Sequence, residues 1–218
     1  MQEQTRQKFI NGLLIPLVFP AVLWIVQVIT VIFHLNLAWM GILPRTGSGL
    51  LGIITGPIIH EGLPHLISNT IPLIFLGWII FFFFPKVAYY LFFFIYLLTG
   101  TMVWIFARQV YHIGASGIVY GFVSFLFFSG VFRRDNKSIA LALLVTFLYG
   151  GVVWGILPGQ EGISWESHLS GALSGLLSAY LFRNIDPPQR YDWEDEPDDF
   201  NVDELEVSYD PEKNKFIN

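Results

Sequence analysis

The sequence predicts an all-α membrane protein: a bundle of six transmembrane helices followed by an acidic, disordered tail. Composition is the first observation behind this prediction. Of the 218 residues, 54% are hydrophobic and 13% are charged, with a mean hydropathy of +0.56, whereas a soluble domain has about 25% charged residues. The second observation is length, because the apolar runs extend to about 20 residues, which is enough to cross a bilayer.

Six spans are predicted from the apolar runs and the breaks between them. They cover residues 10–33, 63–84, 87–107, 115–131, 138–156 and 166–183. Pro16 and Pro20 are expected to kink the first span. The stretch HLNLAWMGILPRTGSGLLGIITGP, residues 34–57, is rich in turn-forming residues and is interpreted as a loop. The absence of cysteine excludes disulfides and thiolate metal sites, and no cleavable signal peptide is evident because the first apolar run is too long.

Charge divides the chain into a predicted membrane domain, 1–185, and a tail, 186–218. The first part has nine basic and five acidic residues (+4) and the second three basic and twelve acidic (−9), which sum to −5. The tail is acidic, contains proline and is poor in aliphatic residues, which predicts disorder. A solvated cytoplasmic tail is favoured over a partner-binding one.

The basic residues predict the orientation of the chain in the membrane. With the N-terminus inside, only Arg45 and Arg108 lie outside, and the opposite orientation reverses that distribution. The positive-inside rule therefore predicts that both termini are cytoplasmic. The residues then on the cytoplasmic side are Arg6, Lys8, Lys86, Arg133, Arg134, Lys137 and Arg183.

Polar side chains within apolar spans are costly and indicate a functional site. In HEGLPHLISNT, His65 and Asn69 are four residues apart and share one helix face. A zinc protease helix carries two histidines one turn apart, in H-E-x-x-H. Here His60 and His65 are five apart with Pro64 between them, so the two rings do not converge from one face. This spacing argues against a metalloprotease, and no metal site is predicted.

Two further segments carry polar residues among small ones. In the last span, His168, Gly171 and Gly175 are spaced by three and four residues and lie on one face. In the fourth span, Gly117 and Gly121 form a similar face. Small residues allow helices to approach closely, and packing these two faces together would bring His168 beside Ser116.

Ser116 and His168 form a candidate nucleophile and base. A serine hydroxyl is a poor nucleophile at neutral pH unless a base lies within hydrogen-bond reach. Attack on a carbonyl creates an oxyanion that needs donors, and His65, Asn69 and the backbone N–H of Ser116 are candidates. Tyr120, one turn below Ser116, is placed to support the imidazole. No acidic third member is evident, so a dyad is the simpler interpretation.

Structural roles are the alternative for each residue taken alone. A serine among small residues usually serves packing, and a histidine in a span more often has a structural hydrogen bond. These explanations do not account for a serine, two histidines and an asparagine that are all predicted near the outer face.

The motifs together resemble the rhomboid family of intramembrane serine proteases. HEGLPHLISN matches the family's H-x4-H-x3-N, GASGIVYG its G-x-S-G with a trailing tyrosine and glycine, and HLSGALSG its H-x2-G-x3-G. Order, spacing and span number agree, and the resemblance extends from the first span to about Arg183. One difference lies in the first loop, where Trp39 and Arg45 are apart instead of forming the Trp-Arg pair of some relatives.

The resemblance implies a six-helix rhomboid-like bundle that cleaves single-pass transmembrane proteins at or just inside the outer face of the bilayer, without a cofactor. It implies that Ser116 is the nucleophile and that His168 acts first as base and then as acid. It also implies that His65, Asn69 and the Ser116 backbone form the oxyanion hole.

The resemblance assigns supporting roles to three more residues. Tyr120 would stack on His168, Gly114 would line the site with its backbone, and His60 would hold the entry to the second span. The short form fits a bacterial plasma membrane, and no nucleic-acid partner is expected. The alternative is a catalytically inactive rhomboid-like protein that binds membrane helices. A channel or transporter is less favoured, because no span carries paired charges and no duplicated half is evident.

Overall fold

The computed structural model describes residues 2–159, 162–186 and 208–217. Within these ranges the chain forms a helical bundle and, separately, a C-terminal β-hairpin. The helices are α1 (Gln2–Ile32), α2 (Gly47–Thr55), α3 (Leu63–Phe83), α4 (Ala88–Phe106), α5 (Ser116–Arg133), α6 (Asn136–Tyr149) and α7 (Trp165–Leu181). Short 3-10 helices cover Ala38–Met40, Gly56–Ile58 and Gly150–Ile156.

The predicted all-α membrane bundle is confirmed. Among the described residues, five helical segments are long and apolar enough to cross a membrane: most of α1, then α3, α4, α5, and α6 with the 3-10 helix that extends it. The sixth predicted span, α7, has 17 residues and is therefore about 25 Å long, at the lower limit for a crossing. The buried apolar side chains gather mainly where α3, α4 and α5 meet.

The first connecting segment is more ordered than the sequence predicted. The interpretation of residues 34–57 as a loop is wrong for α2, which begins after Thr46, whose hydroxyl accepts the N–H of Gly49 at 3.1 Å. Two of its glycines, Gly49 and Gly52, serve close packing instead of turns. A Cβ at Gly49 would overlap the carbonyl oxygen of Leu43, and one at Gly52 would overlap the backbone of Gly41.

Helices α5 and α7 pack backbone against backbone through glycines. A Cβ at Gly171 would overlap the carbonyl oxygen of Gly117, and a Cβ at Gly175 would overlap that of Gly121. The two contacts advance by four residues in the same direction along both helices, so α5 and α7 run parallel. Their N-terminal ends therefore lie side by side, and these ends carry the candidate serine and histidine.

The opposite end of the bundle is closed by charged side chains. The carboxylate of Asp186 accepts the backbone N–H groups of Lys86 and Val87 at 3.0 and 3.2 Å. The guanidinium of Arg133 donates to the carbonyl oxygen of Asp186 at 2.9 Å and lies over the ring of Phe84. Asp186, the first residue of the predicted tail, is thus bonded to the bundle.

The described part of the tail contains secondary structure that the composition did not predict. Strands β1 (Ser208–Asp210) and β2 (Lys215–Ile217) pair antiparallel, with Tyr209 opposite Phe216. Two of the four connecting residues, Pro211 and Asn214, are turn formers, and Asn214 has a φ of 47°, which asparagine tolerates. The expectation of disorder for residues 187–207 lies outside the described residues.

Candidate active site

Ser116 and His168 are hydrogen-bonded to each other. Ser116 is the first residue of α5, and His168 is the fourth residue of α7. The Nε2 atom of His168 lies 2.9 Å from Oγ of Ser116. This is the distance at which a base can take the proton of a serine hydroxyl, and it results from the glycine contacts that bring the two helix ends together.

The other ring nitrogen of His168 is held by a backbone carbonyl. Nδ1 lies 2.9 Å from the carbonyl oxygen of Gly155, which can only accept. Nδ1 therefore carries the proton, and Nε2 presents its lone pair to the hydroxyl of Ser116. The sequence offers no acidic third member. The acceptor is instead the carbonyl of Gly155, and a main-chain acceptor has no signature in the sequence.

Tyr120 stacks on His168. The two ring centroids are 4.1 Å apart and the planes differ by 7°, as expected from the resemblance. The hydroxyl of Tyr120 donates to the carbonyl oxygen of Val152 at 2.8 Å. A Cβ at Gly155 would overlap that hydroxyl and lie 3.2 Å from Nδ1 of His168. The imidazole is therefore enclosed between α5 and the 3-10 helix Gly150–Ile156.

Asn69 and His65 occupy the entry of α3 beside this site. The side chain of Asn69 is 3% exposed, and its Nδ2 donates to the carbonyl oxygen of His65 at 2.9 Å. An amide group has two N–H donors, so one is left for another acceptor. The ring of His65 lies over Gly114, where a Cβ would be 2.7 Å from the ring atoms Cε1 and Nε2 and where φ is +99°. Only glycine suits this position.

His60 connects the entry of α3 to the start of α5. Its ring contacts that of His65 edge to face at 5.0 Å, and its Nε2 accepts the backbone N–H of Ala115 at 3.4 Å. Burial, with a smaller contribution from His65, lowers the pKa of His60 to about 4. The ring is therefore neutral at pH 7, as an acceptor at Nε2 requires. In the described ranges, no three His, Asp or Glu side chains are grouped as a metal site would need.

A polar cluster that was not predicted from the sequence lies behind the dyad. Arg108, at the end of α4, forms a bidentate ion pair with Glu166 at the start of α7, with Nε–Oε1 at 2.5 Å and Nη2–Oε2 at 3.2 Å. His112 is buried next to this pair. A signal was present in HIGASG, where a further histidine stands four residues before the serine.

Comparison with known proteins identifies the family. The family model described as Rhomboid domain matches residues 47–185, which is more than half of the chain. Proteins named as uncharacterized from Mycobacterium tuberculosis (strain ATCC 25618 / H37Rv) and Mycobacterium bovis are each 35% identical over 198 residues, 87% of this chain and 81% of the relative. One from Mycobacterium leprae is 32% identical over 194 residues, 85% and 76% of the two chains. The chain belongs to the rhomboid family.

Proposed function

We propose that this integral membrane protein is an intramembrane serine endopeptidase that uses a Ser116–His168 dyad. The observation that carries the proposal is the 2.9 Å hydrogen bond between Ser116 Oγ and His168 Nε2. Its orientation adds support, because the Gly155 carbonyl selects the tautomer in which Nε2 is free to accept a proton. A serine that served packing alone would need no oriented base.

In the proposed reaction, the Ser116 hydroxyl transfers its proton to His168 Nε2 while Oγ attacks the scissile carbonyl carbon. The imidazolium then gives that proton to the leaving amine, and the C–N bond breaks to leave an acyl-serine. Water hydrolyses the ester in a second cycle, with His168 again acting as base and then as acid. Tyr120 keeps the ring in one plane through both proton transfers.

The proposed oxyanion hole combines side-chain and backbone donors. Asn69 has one N–H group beyond the one bonded to the His65 carbonyl. The backbone N–H of Ser116 lies in the first turn of α5, where amides lack partners within the helix. In the proposed complex, these donors and the His65 side chain, which lies over Gly114, would stabilise the oxyanion formed when Ser116 Oγ attacks.

The proposed substrates are single-pass transmembrane proteins that enter from the bilayer, and no cofactor is required. We propose a bacterial plasma membrane with both termini in the cytoplasm. The distribution of cations supports this orientation, since Arg45 and Arg108 lie at the end of the bundle with the dyad, whereas Lys86, Arg133 and Lys137 lie at the other end. Residues 186–218 then form a cytoplasmic tail appended to a membrane domain of residues 1–185.

The experiment that tests the proposal is labelling of the purified full chain with a fluorophosphonate, which reacts with activated serines whatever the substrate is. We expect the wild-type chain to be labelled and Ser116→Ala and His168→Ala to lose all labelling. Ser129→Ala is the matched control, because this buried serine lies on the same helix and its hydroxyl has no partner among the described residues.

Labelling that persists in Ser116→Ala would place the reactive serine elsewhere and overturn the proposal. A folded wild-type chain that is not labelled in lipid nanodiscs would favour the alternative, an inactive rhomboid-like protein that binds membrane helices. Cleavage of a transmembrane reporter by the wild-type chain alone would then establish the reaction itself.

A further inference from the structure

His112 is a buried histidine, 3% exposed, that the proposed reaction does not use. Both of its ring nitrogens are hydrogen-bonded: Nε2 to the carbonyl oxygen of Arg108 at 2.9 Å, and Nδ1 to the hydroxyl of Ser164 at 2.6 Å. Burial lowers the pKa of His112, and the hydrogen bond to the Arg108 carbonyl and the charge of Glu166 oppose this shift only in part. The neutral ring therefore donates from Nε2 to the carbonyl and accepts the Ser164 proton at Nδ1.

Ser164 is the N-cap residue of α7, directly before Trp165. Its Oγ accepts the backbone N–H of Ser167 at 3.3 Å and lies 2.7 Å from the Ser167 hydroxyl. An N-cap side chain fixes the first turn of its helix, and that turn contains His168. The contact from His112 therefore determines where the N-cap hydroxyl points and where the first turn of α7 begins.

The backbone of His112 is fixed as well. Its N–H and C=O groups exchange two 2.9 Å hydrogen bonds with Ile42 of the first connecting segment. Two residues further on, the N–H of Gly114 donates to the carbonyl oxygen of Gly56 at 3.0 Å. His112 thus stands at the junction of the first segment, the strand-like approach to Ser116, and the first turn of α7.

We propose that His112 is a positioning residue, whose bridge to Ser164 sets the separation between Ser116 and His168. The dyad atoms belong to two helices, and the glycine contacts between those helices fix their distance but not the rotation of their first turns. The bridge from His112 fixes that rotation at the end where the reaction occurs. This inference rests on the proposed function of the dyad.

A purely structural role and a positioning role have different kinetic consequences. Loss of a structural contact lowers the melting temperature but leaves the reactivity of the surviving folded molecules unchanged. Loss of a positioning contact lowers the maximal rate of serine modification while probe binding stays the same. A misplacement of about 1 Å in an active site can reduce the rate about 10²-fold.

The test measures fluorophosphonate modification of the full chain at several probe concentrations, which separates the maximal rate, kinact, from the apparent affinity, KI. His112→Phe keeps the ring volume and removes both hydrogen bonds. His112→Asn keeps an acceptor oxygen close to the position of Nδ1. Arg45→Met is the matched control, because Arg45 donates to the carbonyls of Ile105 and Ala107 at the end of α4 and, among the described residues, forms no hydrogen bond with α7.

We expect His112→Phe to lower kinact about 10²-fold with KI unchanged, and His112→Asn to recover most of that loss. Arg45→Met should lower the melting temperature without changing kinact. Ser164→Ala removes the same bridge from the other side and should reproduce the fall in kinact. In the double variant, His112→Phe with Ser164→Ala, kinact should fall no further than in the more impaired single variant, because both substitutions remove the same contact.

A folded His112→Phe protein with wild-type kinact overturns the inference. If that variant does not fold, kinact of Ser164→Ala is measured instead. A wild-type kinact for folded Ser164→Ala also overturns the inference. An equal fall in kinact for Arg45→Met would show general loosening of the bundle and would also overturn it. A wild-type chain that fails to label, by contrast, counts against the dyad and the proposed function.

Discussion

Helices α5 and α6 are both apolar and follow each other in the chain, but α5 is mostly buried inside the bundle and α6 is mostly exposed on its surface. In the apolar stretch long enough to cross the membrane, 56% of the residues are buried in α5, compared with 17% in α6 and the 3-10 helix that extends it. α6 turns Leu143 and Phe147 outward, at 66% and 87% exposure, whereas α5 meets α7 through Gly117 and Gly121. Hydrophobicity thus places a helix in the bilayer, but small residues decide which helix it touches.

The largest expected effect comes from filling the contact between α5 and α7. In Gly171→Val, the new side chain overlaps the carbonyl oxygen of Gly117, which is backbone and cannot move without displacing a helix. We expect most of the protein to be lost from the folded fraction and no serine labelling in the remainder. Fluorescence-detected size-exclusion chromatography and labelling measure the two outcomes.

Phe147→Ala is the matched substitution on the other helix. It truncates a side chain that is 87% exposed, so we expect a change in stability within about 0.5 kcal/mol and unchanged labelling. If the two variants were equally stable, the distinction between the glycine interface and the lipid-facing surface would not hold.

A smaller substitution in the 3-10 helix Gly150–Ile156, beside the imidazole of His168, should affect activity more than stability. In Gly155→Ala, the added Cβ overlaps the Tyr120 hydroxyl and lies 3.2 Å from Nδ1 of His168. We expect the ring to shift and the maximal labelling rate to fall about 10²-fold. Gly151→Ala, in the same 3-10 helix but with no atom within 4 Å of its Cβ, should label normally.

A melting temperature that falls in Gly155→Ala while the labelling rate stays constant would contradict this expectation. It would mean that the 3-10 helix supports the bundle but does not orient the histidine.

The smallest expected effect is a pH dependence of folding stability that arises from His60, which lies outside the membrane-spanning helices. His60 has a pKa of about 4 in the folded chain, whereas an unfolded histidine has about 6.5. The unfolded state therefore takes up a proton first, and folding stability falls as the pH decreases from 6.5 towards 4. Between pH 6.5 and 5.5 the loss is about 1 kcal/mol. Melting temperatures of the wild type and His60→Gln over this range measure it.

The result is the difference between the two pH slopes, and neither slope alone decides it. His60→Gln should be less stable at neutral pH but should lose less on acidification. Parallel pH profiles for the two proteins would show that His60 does not titrate below its ordinary range.

The helices and motif residues could be predicted because their signals are in the side chains. Long apolar runs gave the α3, α4, α5 and α7 ends to within about two residues. The helix α2 could not be predicted, because Gly49 and Gly52 look like turn residues until the backbone they pack against is known. In the same way, the turn formers Pro211 and Asn214 did not outweigh the acidic composition of the tail.

The spacing predicted that Ser116 and His168 lie side by side, and the two are hydrogen-bonded, whereas the groups that orient His168 were not predictable. The spacing of His168, Gly171 and Gly175 indicated the face that packs on α5. The acceptor for His168 is a carbonyl of Gly155, and any residue has one. The bridge from His112 to Ser164 joins positions 52 residues apart, and no local pattern connects them.

The parallel arrangement of α5 and α7 has an electrostatic consequence. Each helix has a macrodipole equivalent to about half a positive charge at its N-terminus, and both of these ends meet at Ser116 and His168. Together they favour a negative charge that develops there, by about 0.3–1 kcal/mol for each helix. An inhibitor that becomes anionic on attack by the serine should therefore bind more tightly than an isosteric neutral or cationic one.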